Sequence, residues 1–537
     1  MQDASCKTIK EMQDASCEKE FVMRSPSLFS CVVLSLVFSG ACLLQAIQQA
    51  GRMAPPLDDS FIHLQYATRL AEGHFWSYQG QEGCTSGATS LLWPFLLAPG
   101  SLLGLHGENL YLWAVFLGAL GLGFSAWYSS RWVAKFQPEL AGWVGWAVLF
   151  CGPLQWGSFS GMEIGVFAAA LCGLLSCWRG SMAWFWALVL ALIRPEGAVL
   201  CALWAVARIW EDRAWGTLLL VLPGGTPLLI SKICSHSWLS NSILTKHNPR
   251  YTQPEEFSRL WFLVNDLLID SFGDRYFGKG GLLAVVLMAL GLSQLLDQEW
   301  KARRMGEGTK GAVVLLLMMG MMAAAVGVTF HHSRYLMPSL PIFIAFYMVG
   351  ADFLRRKLDL ASWPLGLALG WVLVGTFGWM NAFGKNASDI GQQQMALADW
   401  IREHTPSDAR IALNDAGAIP YLSQRTVLDL EGIVSPESLR WSLAGEGSVF
   451  TLLRQQKPDF IAIFPEWFPT MAKASLFKVV ARAHLDKQTI SGGPEMVVAL
   501  LDMLAPVGLV GGRVEVAVRW VAVVPAVGVG VAEEEAM

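Results

Sequence analysis

Long apolar stretches recur along the chain from about residue 28 to residue 381, and short polar loops separate them. A stretch of roughly 18 or more residues with few charges can cross a hydrocarbon core about 30 Å thick. One stretch is interrupted by Arg194, Pro195 and Glu196, which predicts a broken pair because proline breaks a helix. The pattern predicts about eleven membrane segments, at 28–48, 109–130, 140–157, 164–178, 181–207 (the broken pair), 216–233, 280–297, 311–329, 336–350 and 361–381.

The pattern changes after residue 383, where short β-like runs alternate with helical periodicity. A helix is predicted at 392–403 and strands at 410–414, 427–430 and 459–464, which indicates a C-terminal α/β domain at 384–505. The transmembrane domain then covers 27–383 and contains a large loop at 51–108. The polar residues 1–26, which contain a near-duplicate, indicate a disordered or misassigned start, and 506–537 form a low-complexity tail.

The positive charges predict the orientation of the segments. Lysine and arginine cluster in short loops at 131–135, 208–213, 301–310 and 355–357, which the positive-inside rule makes cytoplasmic. The loop at 51–108 and the C-terminal domain are then extracytoplasmic. The remaining polar clusters fall on the same external side, and charges beside membrane segments mark a functional cavity by default. These clusters are at 58–59, 163, 194–196, 246–248 and 331–335.

The composition agrees with a membrane protein, because 54% of the residues are hydrophobic and only 15% are charged. A net charge of −4 gives no basic patch for nucleic acid, so we exclude that class of partner. Most of the ten cysteines, Cys234 among them, lie in apolar segments, where cysteine behaves as a small hydrophobic residue. Without a CxxC pair or a Cys/His metal spacing, we expect neither a disulfide framework nor a structural zinc.

The most informative polar residues are Asp58 and Asp59, directly after the first segment. In one interpretation Asp58 caps a helix, Asp59 complements the helix dipole, and Ile62, Tyr66 and Leu70 form a stripe that lies on the membrane. In the other, one carboxylate at the edge of a low-dielectric region deprotonates an acceptor hydroxyl. The pattern alone leaves both open.

The run DDSFIHLQYATRLAEGHFWSYQGQEGCTSGATSLLWPFLL resembles the first external loop of GT-C fold glycosyltransferases that use polyprenyl-phosphate sugars, the bacterial arabinofuranosyltransferase-like and mannosyltransferase-like members in particular. Similar segments follow in the same order at 160–170, 192–200, 331–341 and 414–432. Cys84 and the pair Gly87-Ala88 depart from the usual sequence of the Thr-Ser-x-Leu-Trp segment. The resemblance implies an all-α polytopic fold with two juxtamembrane helices, at 59–72 and 89–104.

The resemblance also implies roles for particular residues. Asp58 is expected to act as the base with Asp59 in support, and a divalent cation at the two carboxylates stays open as the only cofactor. A leaving polyprenyl phosphate develops charge, so the site needs cations near the outer boundary of the membrane. Arg334 is the best candidate, and a snorkelling interfacial arginine is the alternative. The other candidates for the donor phosphate are His331, His332, Lys246 and its neighbour His247, although a solvated loop also explains the last two.

The charges at the broken segment have two interpretations. Arg194 and Glu196 bracket Pro195, and an ion pair of Arg194 with Glu196 or Glu163 would lower the cost of their burial. A structural pair and a contact with substrate are equally consistent with the pattern. Glu163 begins a returning helix, where it caps the turn or holds sugar hydroxyls.

The sequence therefore predicts an inverting hexosyl- or pentosyltransferase of the bacterial plasma (inner) membrane, with its active site on the extracytoplasmic side. Its partners are a polyprenyl-phosphate sugar donor, the lipid bilayer and an acceptor hydroxyl of an envelope glycan, lipid or protein. A transporter or flippase of lipid-linked sugars, and a non-catalytic envelope scaffold, are the alternatives. A transporter is expected to show internal repeats, and none is evident in the sequence.

Overall fold

The computed structural model describes residues 23–79, 83–246, 248, 262–325, 331–472, 477–501, 508–510 and 513–515. Most of the predicted segment 1–26 and His247 lie outside these ranges. So does the predicted tail at 506–537, apart from a two-stranded antiparallel pair, Gly508–Val510 with Arg513–Glu515.

The first part of the chain is helical. Its first helix begins after Ser27, whose side chain accepts a hydrogen bond from the Ser30 amide, and it ends at Gly51 in the left-handed conformation. A helix with π-type hydrogen bonding spans Phe262–Arg275. The α-helices of this part, numbered in chain order, are α1 (Leu28–Ala50), α2 (Asp59–Ala71), α3 (Leu92–Leu102), α4 (Glu108–Val133), α5 (Ala141–Leu149), α6 (Gly152–Phe159), α7 (Ile164–Cys177), α8 (Ser181–Ile193), α9 (Pro195–Asp212), α10 (Val221–Ser235), α11 (Asn241–Thr245), α12 (Gly281–Lys301), α13 (Glu307–Ala325), α14 (Leu340–Lys357) and α15 (Trp363–Ile390).

Within the described chain, six helical stretches are long and apolar enough to cross a membrane, or seven if a bent pair counts as one span. They confirm a polytopic membrane protein, but they do not confirm the predicted count of about eleven segments. The bent pair is α6 and α7, which meet at 119°. Gly161 makes this bend with a φ of +89°, a backbone that favours glycine. The six stretches are Leu28–Ala50, Glu108–Val133, Trp215–Ser235, Gly278–Lys301, His331–Lys357 and Trp363–His404.

The break predicted inside 181–207 is present. Arg194 has extended backbone angles and ends α8, and Pro195 opens α9 as its first residue. Proline fits that position because the first turn of a helix needs no amide donor there.

The loop at 51–108 contains the two predicted short helices, α2 and α3. The apolar side of α2 packs against protein and not against lipid, because Ile62 and Tyr66 are buried in the core. The Phe61 ring of the same helix lies 5.7 Å from that of Tyr421 in the C-terminal part. The prediction of a helix lying on the membrane is therefore wrong.

The C-terminal part contains a five-stranded sheet flanked by helices. Three of its strands, β1, β2 and β3, lie where the sequence predicts strands, and β4 and β5 were not predicted. The strand order is β2-β1-β3-β5-β4, in which β1 pairs in parallel with β2 and β3, and β5 pairs antiparallel with β3 and β4. The strands are β1 (Arg410–Leu413), β2 (Thr426–Asp429), β3 (Phe460–Ile463), β4 (Phe477–His484) and β5 (Glu495–Leu501), and the helices are a π-type turn (Gly391–Met395), α16 (Ala396–His404), α17 (Ala418–Ser423), α18 (Leu439–Leu443), α19 (Glu446–Gln456) and α20 (Pro469–Ala472).

A disulfide bond joins Cys84 of the first loop to Cys234 at the end of α10. The expectation of no disulfide is therefore wrong, and Cys234 does not act as a free hydrophobic residue. The error arose because the two residues are 150 positions apart, so no local spacing reveals the pairing. The bond fixes the loop against the segment that leads to Lys246.

We expect Cys84 and Cys234 to resist alkylation until the protein is reduced, because both sulfurs are in the bond. Peptide mass spectrometry of the denatured protein, alkylated before or after reduction, measures this. Cys84→Ser should make Cys234 reactive without reduction, whereas Cys177→Ser, which changes an unpaired cysteine, should leave it protected. Alkylation of both residues in the unreduced protein would show that the bond does not form.

Candidate active site between the membrane helices and the C-terminal sheet

A cavity of about 830 Å³ lies between the membrane helices and the C-terminal sheet. Its wall includes residues from the first loop, from the ends of membrane helices and from the C-terminal part. Most of the predicted site residues line it together, although they are far apart in sequence: Asp58, Asp59, Arg194, Lys246, His331 and Arg334. Glu163, Glu196 and His332 are not among the described residues of this wall.

Arg334 is the central cation of the cavity. Its side chain is only 5% exposed, and Nη2 donates hydrogen bonds to the Asp59 carboxylate and, at 3.2 Å, to the Tyr335 hydroxyl. The interpretation as a snorkelling arginine is therefore wrong. Nε and Nη1 are buried without a hydrogen-bond partner in the described chain. A buried donor without a hydrogen bond costs free energy. A buried guanidinium with two unpaired donors is therefore suited to an anionic ligand that would accept from them.

Asp59 lies in the first turn of α2 and faces this guanidinium. Burial by itself raises the pKa of Asp59, but the Arg334 guanidinium outweighs this effect and holds the pKa well below its usual range. Asp59 is therefore ionised over the whole physiological range, and it binds and orients the arginine.

Three cationic side chains of the cavity lie around the Tyr335 ring. Lys246 Nζ donates to the tyrosine hydroxyl at 2.6 Å and lies 4.5 Å from the ring centroid. The guanidinium carbons of Arg194 and Arg334 lie 4.9 and 5.1 Å from the same centroid. This arrangement concentrates positive charge on one wall. The sequence pattern included Tyr335 only as part of the polar cluster at 331–335 and did not indicate this role.

Arg194 has both of the expected carboxylate partners. Nη1 donates to Glu163 at 2.6 Å, and Nη2 donates to Glu196 at 2.9 Å. Glu163 is fully buried behind the arginine, next to His63, and does not reach the cavity wall. The two carboxylates therefore hold Arg194 in place, which favours the structural interpretation for both of them.

The side chains of the two adjacent histidines lie in different surroundings. His331 lines the cavity, whereas the His332 ring lies between Trp156 and Trp379, with centroid distances of 5.1 and 5.2 Å. His332 Nε2 also bonds the Asn386 amide oxygen at 2.9 Å. His332 therefore has a packing role here, because the turn at 331–333 sends the neighbouring side chains in different directions.

Asp58 is not a helix cap, because its side chain makes no capping hydrogen bond. Oδ1 accepts instead from the Ala418 amide at 2.8 Å, at the start of α17. The backbone approaches so closely that a Cβ on Gly417 would lie 2.0 Å from the Asp58 carboxylate. Burial, and next the neighbouring Asp415 carboxylate, raise the pKa of Asp58 well above its usual range.

Sequence reasoning missed a group of polar residues in the C-terminal part. Strands β1, β2 and β3 are parallel, so their carboxyl ends meet at one edge of the sheet, the usual ligand edge of such sheets. The residues that follow each strand line the cavity there: Asn414 and Asp415 after β1, Glu431 after β2 and Glu466 after β3. The sequence could have indicated this group, because each of the three predicted strands is followed by an acidic residue.

The carboxylates of the cavity do not fit a metal ion. Asp58 and Asp59 are engaged by Ala418 and Arg334, and no group of three or more His, Cys, Asp or Glu that could hold a metal ion occurs in the described ranges. We therefore derive no step through a divalent cation.

Comparison with known proteins gives the fold of the chain. Residues 387–499 match the family described as "Domain of unknown function (DUF8728)". No curated protein matches the chain. Among solved structures, ArnT from Cupriavidus metallidurans bound to undecaprenyl phosphate is 13% identical over 87% of this chain and 97% of that chain, with a TM-score of 0.52.

The same ArnT in the apo state is 12% identical over the same shares of both chains, with a TM-score of 0.50. The Archaeoglobus fulgidus oligosaccharyltransferase in complex with Zn and sulfate is 12% identical over 86% of this chain and 73% of that chain, with a TM-score of 0.49. The similarity to ArnT confirms the predicted GT-C fold.

We expect Glu163→Gln to destabilise the protein by about 1.5–3 kcal/mol, because Arg194 keeps Glu196 but loses a buried charge-assisted hydrogen bond, and bonds to charged groups contribute about that much. The unfolding midpoint of the purified protein in detergent measures the effect. Glu403→Gln, which changes an exposed carboxylate, is the matched control. Equal midpoints for the two variants would contradict a structural role for Glu163.

Proposed function

We propose that this protein is a glycosyltransferase that moves a sugar from a polyprenyl-phosphate donor to an acceptor hydroxyl on the extracytoplasmic face of a bacterial plasma membrane. The observation that carries the proposal is the convergence of Arg194, Lys246 and Arg334 with Asp58 and Asp59 around one cavity. Arg194 lies between α8 and α9, Lys246 directly follows the short helix α11, and Arg334 lies near the start of the span His331–Lys357, whereas the first loop supplies the two carboxylates.

The cationic wall has the chemistry that a lipid phosphate needs. Two buried nitrogens of Arg334 have no hydrogen-bond partner among the residues that the structure describes, and Lys246 and Arg194 lie against the neighbouring Tyr335 ring. These donors would stabilise the charge that develops on the phosphate as the glycosidic bond breaks. ArnT, bound to undecaprenyl phosphate, has the same fold, which supports a polyprenyl phosphate as the lipid of the donor.

Asp58 is the proposed base. In a single displacement the acceptor oxygen attacks the anomeric carbon, the carbon–phosphate oxygen bond breaks, and the Asp58 carboxylate takes the hydroxyl proton. The raised pKa of Asp58, caused first by its burial, makes it a stronger base than an ordinary carboxylate. Asp59 serves differently, because it is paired with Arg334 and orients that cation. Attack from the side opposite the phosphate inverts the anomeric carbon.

Two further features support the extracytoplasmic side. The disulfide of Cys84 and Cys234 lies in the segments that border the cavity, and disulfides persist in oxidising compartments. A second cavity gathers residues of the loops that the positive-inside rule makes cytoplasmic, Lys135 and Lys310 among them. The first cavity thus contains the polar residues that we predict to be extracytoplasmic, and the second contains residues of the loops that we predict to be cytoplasmic.

We expect Arg334→Ala to weaken the binding of undecaprenyl phosphate at least about tenfold, since hydrogen bonds to charged groups contribute about 1.5–3 kcal/mol. Titration of the protein in nanodiscs with undecaprenyl phosphate measures the affinity. Arg454→Ala removes an exposed arginine and should bind as the wild type does. An unchanged affinity in Arg334→Ala would show that the phosphate binds elsewhere.

We expect Asp58→Asn to lower kcat for transfer by about 10²–10⁴, the range of a lost general base, with little change in undecaprenyl phosphate binding. Asp59→Asn should instead weaken that binding, because Arg334 loses the carboxylate that orients it. Transfer of labelled sugar from undecaprenyl-phosphate sugars in membranes measures the first effect.

The same assay separates the alternatives. A transporter would move the labelled lipid across vesicle membranes without forming a new glycoside, and a scaffold would do neither. Full transfer by both aspartate variants would remove the catalytic proposal.

A further inference from the structure

The segment that follows β1 contacts the side chain of Asp58. The segment 414–418 contributes the Ala418 amide to Asp58 Oδ1 at 2.8 Å, and the Asp415 carboxylate of the same segment is near enough to raise the pKa of Asp58 further, after burial. The segment is fixed from the first loop, because the Tyr78 hydroxyl donates to the Ala416 carbonyl at 2.5 Å. Two carboxyl groups from distant parts of the chain are thus held against each other on the cavity wall.

Two buried amides beside this carboxyl pair each have an unused polar atom. Gln394 Nε2 donates to Asp415 at 2.9 Å, which leaves Gln394 Oε1 without a partner in the described chain. Asn414 Oδ1 accepts from the Phe464 amide at 3.3 Å, which leaves Asn414 Nδ2 without one. Both side chains are at least 95% buried, and both line the cavity. One acceptor and one donor therefore face a ligand position next to the carboxyl pair.

We infer that Asp58 and Asp415 form one proton-sharing carboxyl pair that takes the proton of the acceptor, and that Asn414 and Gln394 bind the sugar ring that carries this hydroxyl. The inference rests on the proposed function and deepens it, because it assigns the acceptor to the C-terminal side of the cavity and its chemical class to a glycan. A sugar fits these groups since neighbouring hydroxyls both donate and accept.

The proton balance of the pair is simple. Two adjacent carboxylates cannot both be ionised without strong repulsion, so the resting pair holds one proton and one negative charge. The ionised oxygen accepts the acceptor proton as the new glycosidic bond forms, and the leaving phosphate keeps the electron pair of the broken bond. The doubly protonated pair then returns one proton to water.

Besides Asp415, two other titratable groups of the described ranges face Asp58. Asp59 lies next to it on α2, and Tyr78 approaches from the first loop. Asp59 is neutralised by Arg334, and burial raises the pKa of Tyr78 well above its usual range, so that it stays protonated. Burial also raises the pKa of Asp415. The closest partner that titrates together with Asp58 is therefore Asp415.

Asp415→Asn tests the inference, because asparagine keeps the shape of the side chain and its hydrogen bond with Gln394. Infrared difference spectra at neutral pH, wild type minus variant, should contain the C=O stretch of a protonated carboxyl group for Asp415→Asn and not for Asp408→Asn. The buried Asp429, whose pKa burial raises to about 7, is present in every variant and cancels in these differences. Asp408 is an exposed carboxylate of the same domain. Absence of this band from the difference between wild type and Asp415→Asn would overturn the shared proton, whatever the activity.

Measurements of turnover are the second part of this test. With undecaprenyl-phosphate sugars as donors and octyl glycosides as acceptors, Asp415→Asn should lower kcat about tenfold or more. The acid limb of its pH profile should move to lower pH. Asp58 keeps the burial that raises its pKa most, but it loses the Asp415 carboxylate that raises its pKa further. Asn414→Ala should raise KM for the acceptor at least about fivefold, because a buried hydrogen bond is lost, without a change in KM for the donor.

The outcomes separate this inference from the proposed function. If the wild type transfers sugar and Asp415→Asn matches Asp408→Asn in kcat and pH profile, the inference alone is wrong. If Asp415→Asn no longer binds undecaprenyl phosphate, Asp415 maintains the fold of the site, and the inference is also wrong. A wild type that holds the shared proton but transfers no sugar would overturn the proposed function and, with it, the role of the pair.

Discussion

The ion pair of Arg334 and Asp59 is the interaction on which the cavity depends. A guanidinium at the end of a membrane helix is costly to bury unless a counter-charge and hydrogen bonds accompany it. Asp59 supplies the charge and Tyr335 one further acceptor, but two nitrogens stay without a partner in the described chain. The pair therefore joins the first loop to the membrane helices and leaves two donors of a cavity-lining guanidinium unpaired in that part of the chain.

A second set of contacts docks the C-terminal sheet onto this framework. Asp58 accepts from Ala418, and the Gln79 side chain bonds both the amide and the carbonyl of Val427. On the opposite side, Asp389 at the end of α15 accepts from the amides of Thr489 and Ile490. These bonds fix the carboxyl ends of the parallel strands over the cationic wall. The cavity thus has a cationic side, formed around Arg334, and a carboxylate-rich side at the edge of the sheet.

Much of this arrangement could be predicted from the sequence, because charges are so unfavourable beside membrane segments that they must share a polar cavity. This reasoning predicted Asp58, Asp59, Lys246 and Arg334 in one group, and the GT-C fold came from the resemblance of five segments. It failed where the outcome depends on how distant segments pack. Asp58 meets the Ala418 amide 360 positions away, and no local pattern indicates that partner.

Other errors have equally physical causes. His331 and His332 are adjacent, yet their positive φ values of 43° and 59° turn the two rings to different neighbours. Glu163 was a plausible sugar ligand, but it lies behind Arg194 because the bend between α6 and α7 directs it inward. The residues after β1, β2 and β3 could have been found, since parallel strands bring their carboxyl ends together.

The most direct test of the account is an experimental structure of the protein in nanodiscs with undecaprenyl phosphate. The account predicts that the phosphate lies in the cavity between the membrane helices and the C-terminal sheet, within hydrogen-bonding distance of Arg334 Nε or Nη1. A phosphate bound only in the second cavity, beside Lys135 and Lys310, would contradict it.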